Sequence, residues 1–147
     1  MIDQTLLNRL KELGDPVMTL EELNRALLVA PFHRWLNLRM VEADAEHILI
    51  EMPWRDEMIS NPTLPSMHGG ILASLIDLTG FYAVLASGNM CKSTADLRVD
   101  YHRAASRQTL HAEGRLIKAG KSLSVADVRI HDEAGTLVAS GRGAYNM

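Results

Sequence analysis

The chain has 147 residues, of which 47% are hydrophobic and 22% are charged, so it is long enough to bury the core of one globular domain. Its formal net charge of -3, without any run of five or six like charges, argues against a surface that binds nucleic acid. The single cysteine, Cys91, excludes an internal disulfide, and residues 1–15 contain neither a basic nor an apolar leader segment, so we expect a reducing, cytoplasmic setting.

The N-terminal part of the sequence predicts two helices. Residues 2–13 place leucine and isoleucine at helical spacing, followed by a glycine and an Asp-Pro pair that act as a stop. Thr19 and Glu22 form a capping-box pattern. This pattern predicts a second helix over residues 19–29, which ends before Pro31.

An extended segment follows over residues 38–52. Alternate residues from Ile48 to Met52 are apolar, which is the period of a strand with one buried face. Polar residues over 43–46 predict a turn inside this segment. Three prolines within residues 53–66 then predict a loop.

A long apolar helix is predicted from residue 69 to about residue 87, and it opens on two glycines and carries one carboxylate, Asp77. Asp77 and Gly80 leave uncharged runs too short to cross a bilayer, so we do not expect a membrane protein. The residues three, four and seven positions from Asp77 are mostly small, which indicates that something approaches this stripe closely. Since an unpaired carboxylate is costly there, Asp77 needs a partner or a chemical role.

The last third of the sequence predicts strands. Residues 94–103 alternate apolar with polar side chains, and three further strands are predicted over 109–118, 122–130 and 136–145. Turns at AGK and DEAG separate the last three. We therefore expect an antiparallel meander over residues 93–146 that covers the long helix, which is an α+β architecture.

The two glycines at the start of the long helix suggest a site that stabilises negative charge. Because they lack side chains, Gly69 and Gly70 leave backbone N–H groups exposed at the helix N-terminus, in the outline of an oxyanion hole. Gly69 and Asp77 are eight residues apart, which at 1.5 Å per residue is roughly 12 Å of helix axis. They cannot serve one reacting carbon within one chain. Two copies packed antiparallel about a two-fold axis would bring them together, so we expect an obligate dimer with composite sites.

The order of these motifs resembles a known family. The runs PSMHGGILASLIDL, TADLRVDYHR, KAGKSLSVADVRI and GTLVASGRGAY are similar to the hotdog-fold acyl-CoA thioesterases of the phenylacetate-degradation (PaaI) type, in the 4-hydroxybenzoyl-CoA thioesterase-like superfamily. The resemblance implies an antiparallel sheet wrapped around one central helix, with residues 1–30 as an N-terminal helical extension and residues 31–147 as the hotdog domain. It also implies homodimers, often paired into dimers of dimers, and hydrolysis of an acyl-CoA thioester without a cofactor other than the CoA of the substrate.

The same resemblance implies roles for individual residues. The oxyanion-hole amide falls on Gly69, with Gly70 behind it, and the catalytic carboxylate falls on Asp77. The hydroxyl that helps to hold the attacking water falls on Thr94. The polar residue that orients the thioester falls on Asn61, at a spacing that depends on the length of the loop.

Three further residues complete the candidate set. His68, just before the glycines, is a catalytic candidate or, alternatively, a capping histidine. Lys121 and Ser122 lie in the KAGKS turn, where this family often meets the CoA nucleotide, or they belong to an ordinary solvated hairpin turn. The histidine spacings predict no metal site.

Two chemical routes and two other functions stay open. Asp77 could activate water as a general base or attack the carbonyl to form a transient anhydride. A hotdog protein without turnover would instead bind acyl-CoA, and a hydratase or dehydratase would need a histidine base close to a carboxylate, a pairing not obvious in this sequence. The sequence also leaves the acyl group open between aromatic and medium-chain acids.

Overall fold

The computed structural model describes residues 18–147, so the helix predicted over residues 2–13 lies outside the described residues. Its elements, in chain order, are helix α1 (Leu20–Leu27), the short helix α2 (Pro31–Trp35), strands β1 (Arg39–Ala43) and β2 (His47–Met52), a 3₁₀ turn (Asp56–Met58), helix α3 (Gly69–Ala86), and strands β3 (Ser93–Tyr101), β4 (Leu110–Lys118), β5 (Leu123–His131) and β6 (Leu137–Asn146).

The six strands form one antiparallel sheet in the order β1-β2-β4-β5-β6-β3. Strands β4, β5 and β6 form a meander as predicted, but β3 pairs with β6 and lies at the edge of the sheet. The meander predicted over residues 93–146 is therefore wrong for β3. The segment between β3 and β4 is long enough to cross to the far side of the meander, and it is anchored on the way by Ala105, which is buried and accepts a hydrogen bond from the Met67 N–H at 3.0 Å.

Helix α3 packs against one face of this sheet and forms the centre of the core. Leu75, Ile76 and Val84 are fully buried, and the helix contacts all strands from β2 to β6. By length and hydropathy α3 could span a membrane, but the structure buries most of it inside the protein. The predicted α+β architecture, an antiparallel sheet around one long helix, is confirmed.

Helix α1 begins at the predicted cap. The Glu22 N–H donates to Thr19 Oγ1 at 3.2 Å, and the Thr19 N–H donates to the Glu22 carboxylate at 2.9 Å, which confirms the capping box. The helix ends at Leu27, two residues earlier than predicted. Pro31 starts the short helix α2, because a proline at the first helical position lacks only an N–H that would be unpaired there.

Helix α1 covers one edge of the sheet. The Asn24 side chain donates to the Met40 carbonyl at 2.7 Å and accepts from the Met40 N–H at 2.8 Å, so it satisfies both backbone groups of a residue in edge strand β1. Leu23 and Leu27 are fully buried in the same core as the sheet. At the opposite edge, no strand among the described residues pairs with the outer side of β3.

Tyr145 of β6 locks α3 onto the sheet. Its side chain is fully buried and its hydroxyl donates to the Asp77 carbonyl at 3.0 Å. Burial raises the pKa of Tyr145, so the hydroxyl remains a protonated donor. A Cβ placed on Gly80 would lie 1.9 Å from this hydroxyl oxygen, so only glycine fits. The small residue at position 80 is therefore explained by an aromatic side chain of the same chain.

The contact with Tyr145 predicts that Gly80→Ala destabilises the protein by about 1–3 kcal/mol, because the added methyl group overpacks the core. Chemical denaturation in urea measures this change. A second variant that also carries Tyr145→Phe should recover part of the loss. An unconstrained glycine inside a helix gives the opposite sign, since alanine is the better helix former, and a gain in stability would contradict the assigned contact.

Candidate active site

Asp77 and Thr94, two of the predicted catalytic residues, lie side by side. The Thr94 hydroxyl donates to Asp77 Oδ1 at 2.6 Å. The pairing of β3 with β6 shifts between Thr94 and Asp96, and this bulge places Thr94 opposite Tyr145, whose side chain packs on α3. A local irregularity of the edge strand thus turns the threonine towards the helix.

The Asp77 carboxylate is half-buried and keeps one oxygen available. In residues 18–147 no salt bridge involves Asp77, and Oδ2 accepts no hydrogen bond from the protein. A carboxylate with one oxygen held by a neutral hydroxyl retains a lone pair that can take a proton from water. Within the described residues Asp77 therefore has a hydroxyl partner and no ion-pair partner.

The two glycines at the N-terminus of α3 differ in the hydrogen bonding of their N–H groups. The Gly70 N–H donates to Nδ1 of His68, the N-cap residue, at 2.9 Å. Among the described residues, the Gly69 N–H has no acceptor. The orphan donor that a ligand oxygen could use is therefore on Gly69 and not on Gly70.

His68 has the capping role that was the alternative to catalysis. Because Nδ1 accepts from the Gly70 N–H, the neutral ring carries its proton on Nε2 and has no free lone pair. In this arrangement the ring cannot serve as a general base. It also lies nine residues before Asp77, which is in the middle of α3, so the described chain contains no histidine and carboxylate pair of the kind a hydratase needs at these positions.

Tyr101, at the end of β3, was not among the predicted site residues. Its hydroxyl donates to the Gly69 carbonyl at 2.8 Å, and its ring is 55% exposed beside the start of α3. In the sequence it is only the last apolar position of an alternating strand. The contact exists because the tertiary structure places the end of that strand against the helix N-terminus.

Asn61 lies in a loop, and its side-chain oxygen forms hydrogen bonds within that loop. Its Oδ1 accepts from the Thr63 N–H at 3.0 Å and from the Thr63 hydroxyl at 2.7 Å. The loop is closed by a bridge between Ile59 and Met67. The structure forms no hydrogen bond between Asn61 and the other predicted site residues, so its role stays a prediction.

Lys121 lines a surface cavity of about 500 Å³ together with Lys92, which was not predicted. Neither lysine forms a salt bridge with any residue that the structure describes. Ser122 is exposed in the adjacent turn, and its carbonyl accepts from the Met147 N–H at 3.1 Å. Since Lys92 is two residues before Thr94, this basic cavity lies at the same end of β3 as the Asp77–Thr94 pair.

A second cavity, of about 550 Å³, lies at the opposite edge of the sheet, beside β1 and α1. Asn24, Met40 and Glu51 are among the residues that line it, and none of the predicted site residues does.

Thr94 and Gly70 are exposed, while Gly69 and Asp77 lie two helical turns apart on α3. One chain therefore supplies two separate halves of the predicted chemistry and does not enclose them in one pocket.

Cys91 is not placed for nucleophilic chemistry. It is buried, its sulfur lies 3.9 Å from the Phe81 carbonyl oxygen, and burial raises the pKa of its thiol to about 12. A thiol of this kind is almost entirely protonated at neutral pH.

Comparisons with known proteins agree on one family. A family model described as the thioesterase superfamily matches residues 64–139, just over half of the chain. A crystal structure of a protein from the thioesterase superfamily is 44% identical, covers 87% of this chain and 97% of its own, and superimposes with a TM-score of 0.82. The medium/long-chain acyl-CoA thioesterase YigI of Escherichia coli K12 is 26% identical over 78% of this chain and 84% of YigI. The PaaI protein of E. coli, from the phenylacetic acid degradation operon, is 22% identical over 99% of this chain and 100% of PaaI, with a TM-score of 0.74, and shares the fold.

The capping role of His68 predicts different results for two substitutions. His68→Ala removes the acceptor of the Gly70 N–H and should lower the free energy of unfolding by about 1 kcal/mol. His68→Asn keeps a capping oxygen and should retain most of the stability. Urea denaturation of both variants tests this difference, and equal losses for both would rule out the cap as the reason.

The burial of Cys91 predicts that the native protein reacts slowly with an aromatic disulfide reagent at about pH 8, whereas the urea-unfolded protein reacts completely. Absorbance of the released thiolate measures both rates. Fast, stoichiometric reaction of the native protein would show that the thiol is accessible.

Proposed function

This chain belongs to the thioesterase superfamily, and we propose that it hydrolyses an acyl-CoA thioester to the free acid and CoA. The observation that carries the proposal is the 2.6 Å hydrogen bond from Thr94 to Asp77, which leaves the second carboxylate oxygen without a partner among the described residues. No resident cofactor or metal is part of the proposed reaction, since a thioester carbonyl is already electrophilic.

Asp77 acts on water in the proposed mechanism. Its free oxygen takes a proton as water attacks the carbonyl carbon, while Thr94 holds the carboxylate in place. The tetrahedral intermediate then breaks its C–S bond, and the proton passes from Asp77 to the departing thiolate. The products are the carboxylic acid and the CoA thiol. Direct attack by Asp77, with hydrolysis of the resulting anhydride, is the alternative route for the same residue.

The free N–H of Gly69 stabilises the negative oxygen in this mechanism. It is the unpaired donor at the N-terminus of an 18-residue helix, where the helix dipole also favours negative charge. An aligned backbone donor of this kind contributes about a hundredfold or more to the rate. Asn61, whose amide nitrogen donates to no residue that the structure describes, would orient the thioester from the neighbouring loop.

The two halves of the site meet across a dimer in this proposal. Gly69 and Asp77 lie two turns apart on one helix, and the outer edge of the nine-residue strand β3 has unpaired backbone groups in the described structure. Pairing of two β3 edges about a two-fold axis would bury both edges and set two α3 helices antiparallel. Association of such dimers into tetramers, and a cytoplasmic location, belong to the same proposal.

Lys92, Lys121 and Ser122 bind the nucleotide part of CoA in this proposal. Two ammonium groups without a salt bridge in residues 18–147 lie beside a cavity of about 500 Å³, and they suit phosphate oxygens, which form charge-assisted hydrogen bonds. For the acyl group we propose medium-chain or aromatic acids. These two classes are suggested by the names of YigI and of the PaaI operon.

Asp77→Asn should abolish most turnover, by roughly a hundredfold to ten-thousandfold, because the amide cannot accept the proton. Thiol release from a panel running from acetyl-CoA through phenylacetyl-CoA to palmitoyl-CoA measures the activity and identifies the best acyl group. Circular dichroism and gel filtration show whether the fold and the oligomer are retained. A fully active variant would make Asp77 structural, and a wild type inert towards the whole panel would favour an acyl-CoA-binding protein without turnover.

Complementation between two inactive variants tests whether the site is shared. Gly69→Pro deletes the N–H at a helical position that accepts proline, and the preceding residue His68, with φ -58° and ψ 130°, already has the conformation that proline favours. A Cβ at position 69 would lie 3.2 Å from the Tyr101 hydroxyl oxygen, so the exposed Tyr101 side chain needs to shift by only a few tenths of an ångström and keeps its hydrogen bond to the Gly69 carbonyl.

An equal mixture of unfolded Gly69→Pro and Asp77→Asn chains, refolded together, should regain about a quarter of the wild-type activity. Half of the random dimers are then mixed, and each mixed dimer has one intact composite site of two. Each variant refolded alone provides the control. Absence of recovery, with mixed dimers demonstrated by mass spectrometry, would show that the site is not shared between chains.

A further inference from the structure

Two peptide units flank the α-carbon of Gly69, and the protein engages three of their four polar groups. The His68 carbonyl accepts from the Ile71 N–H at 3.0 Å. The Gly70 N–H donates to His68 Nδ1 at 2.9 Å, and the Gly69 carbonyl accepts from the Tyr101 hydroxyl at 2.8 Å. Within the described residues, the Gly69 N–H is the single group of the four without an acceptor.

Tyr101 makes the one of these three contacts that comes from another element. The hydrogen bonds that His68 accepts from the Gly70 and Ile71 N–H groups lie within the first turn of α3, whereas Tyr101 is 32 residues from Gly69 and belongs to β3. Two consecutive glycines give a helix start more backbone freedom than any other pair of residues. A bond to the sheet restrains that freedom, which local bonds at a fraying end cannot do alone.

The absence of a side chain at position 69 permits this contact. A Cβ on Gly69 would lie 3.2 Å from both Cζ and the hydroxyl oxygen of Tyr101, which is tighter than an ordinary carbon contact. The glycine therefore exposes its own N–H on one side and admits the tyrosine on the other.

We infer that Tyr101 is a positioning residue for thioester hydrolysis: its hydroxyl holds the Gly69–Gly70 peptide so that the Gly69 N–H is aligned before the acyl group binds. The inference rests on the proposed function, because that function makes this N–H the oxyanion donor. A donor stabilises the transition state best when its orientation requires no rearrangement during the reaction. Tyr101 acts through Gly69 and does not itself touch the reacting atoms.

Each β3 strand then supports both kinds of half-site. Thr94, near its start, holds the Asp77 carboxylate, and Tyr101, at its end, holds the Gly69 peptide. In the proposed dimer, one strand would position the base of one site and the oxyanion donor of the other. This explains why an exposed edge strand carries two hydrogen bonds to the central helix.

Tyr101→Phe removes the hydroxyl and keeps the ring, so it tests the inference directly. We expect kcat to fall about tenfold, less than the roughly hundredfold loss expected when the donor itself is deleted. KM should stay within about twofold, because the ground-state contacts of the substrate remain. Tyr82→Phe removes a tyrosine hydroxyl thirteen residues after Gly69 in α3, one that forms no hydrogen bond within the described residues, so it is the control and should behave as wild type.

A double variant separates positioning from a general structural effect. If Tyr101 acts through the Gly69 N–H, Tyr101→Phe has no further effect on kcat in the Gly69→Pro background, where that N–H is absent. The urea midpoint and the elution volume of Tyr101→Phe should match those of the wild type. A full, independent loss in the proline background would overturn the inference.

The wild type and the single variant also distinguish the two levels of the proposal. An active wild type with an equally active Tyr101→Phe variant overturns the positioning role alone and leaves the proposed function intact. A wild type that hydrolyses no thioester in the panel overturns the proposed function, and the positioning role with it.

Discussion

The contact of Tyr145 with the turn of α3 between Asp77 and Gly80 determines where the central helix lies on the sheet. The hydroxyl bonds the Asp77 carbonyl, and the ring occupies the space that a side chain at Gly80 would fill. Because Thr94 is paired opposite Tyr145, the same contact brings the Thr94 hydroxyl to the Asp77 carboxylate. Tyr145 therefore positions both the packed helix and the candidate catalytic pair. A helix shifted by one turn along the sheet, about 5.4 Å, would lose both.

The two edges of the sheet are treated in different ways, and this difference shapes the proposed site. Strand β1 is covered by α1, whose Asn24 satisfies the backbone of Met40. Strand β3 is open along its outer side in the described structure and carries exposed Tyr101. A long open edge is a template for pairing with another chain. In the proposed mechanism, pairing of two β3 edges brings Gly69 of one chain to Asp77 of the other, and neither residue is sufficient alone.

Hydrogen bonds from neutral donors, and not ion pairs, organise the candidate catalytic groups. Thr94 holds Asp77, and Tyr101 and His68 hold the peptide after Gly69. Ion pairs in the described residues lie mainly on the exposed surface, as between Asp127 and Arg142. A carboxylate held by a hydroxyl keeps a free lone pair that can accept a proton. This arrangement suits a general base whose side chain is half-buried on the central helix.

Local sequence determined the features that depend on neighbours a few residues apart. The capping box of Thr19 and Glu22, the apolar run of α3 and the eight-residue spacing from Gly69 to Asp77 are short-range properties, and the structure keeps each of them. The family resemblance also pointed to Thr94, which the structure places against Asp77.

Only the tertiary structure decided which strands pair and which of the candidate groups are free. Backbone hydrogen bonds between strands are the same for every side chain, so alternation predicted β3 without predicting that β6 is its neighbour or that a bulge turns Thr94 inwards. The positions of Tyr101 and Lys92 follow from that pairing. The occupied N–H of Gly70 and the free N–H of Gly69 depend on the angle at which the chain enters α3, because a hydrogen bond is decided by tenths of an ångström that residue spacing does not encode.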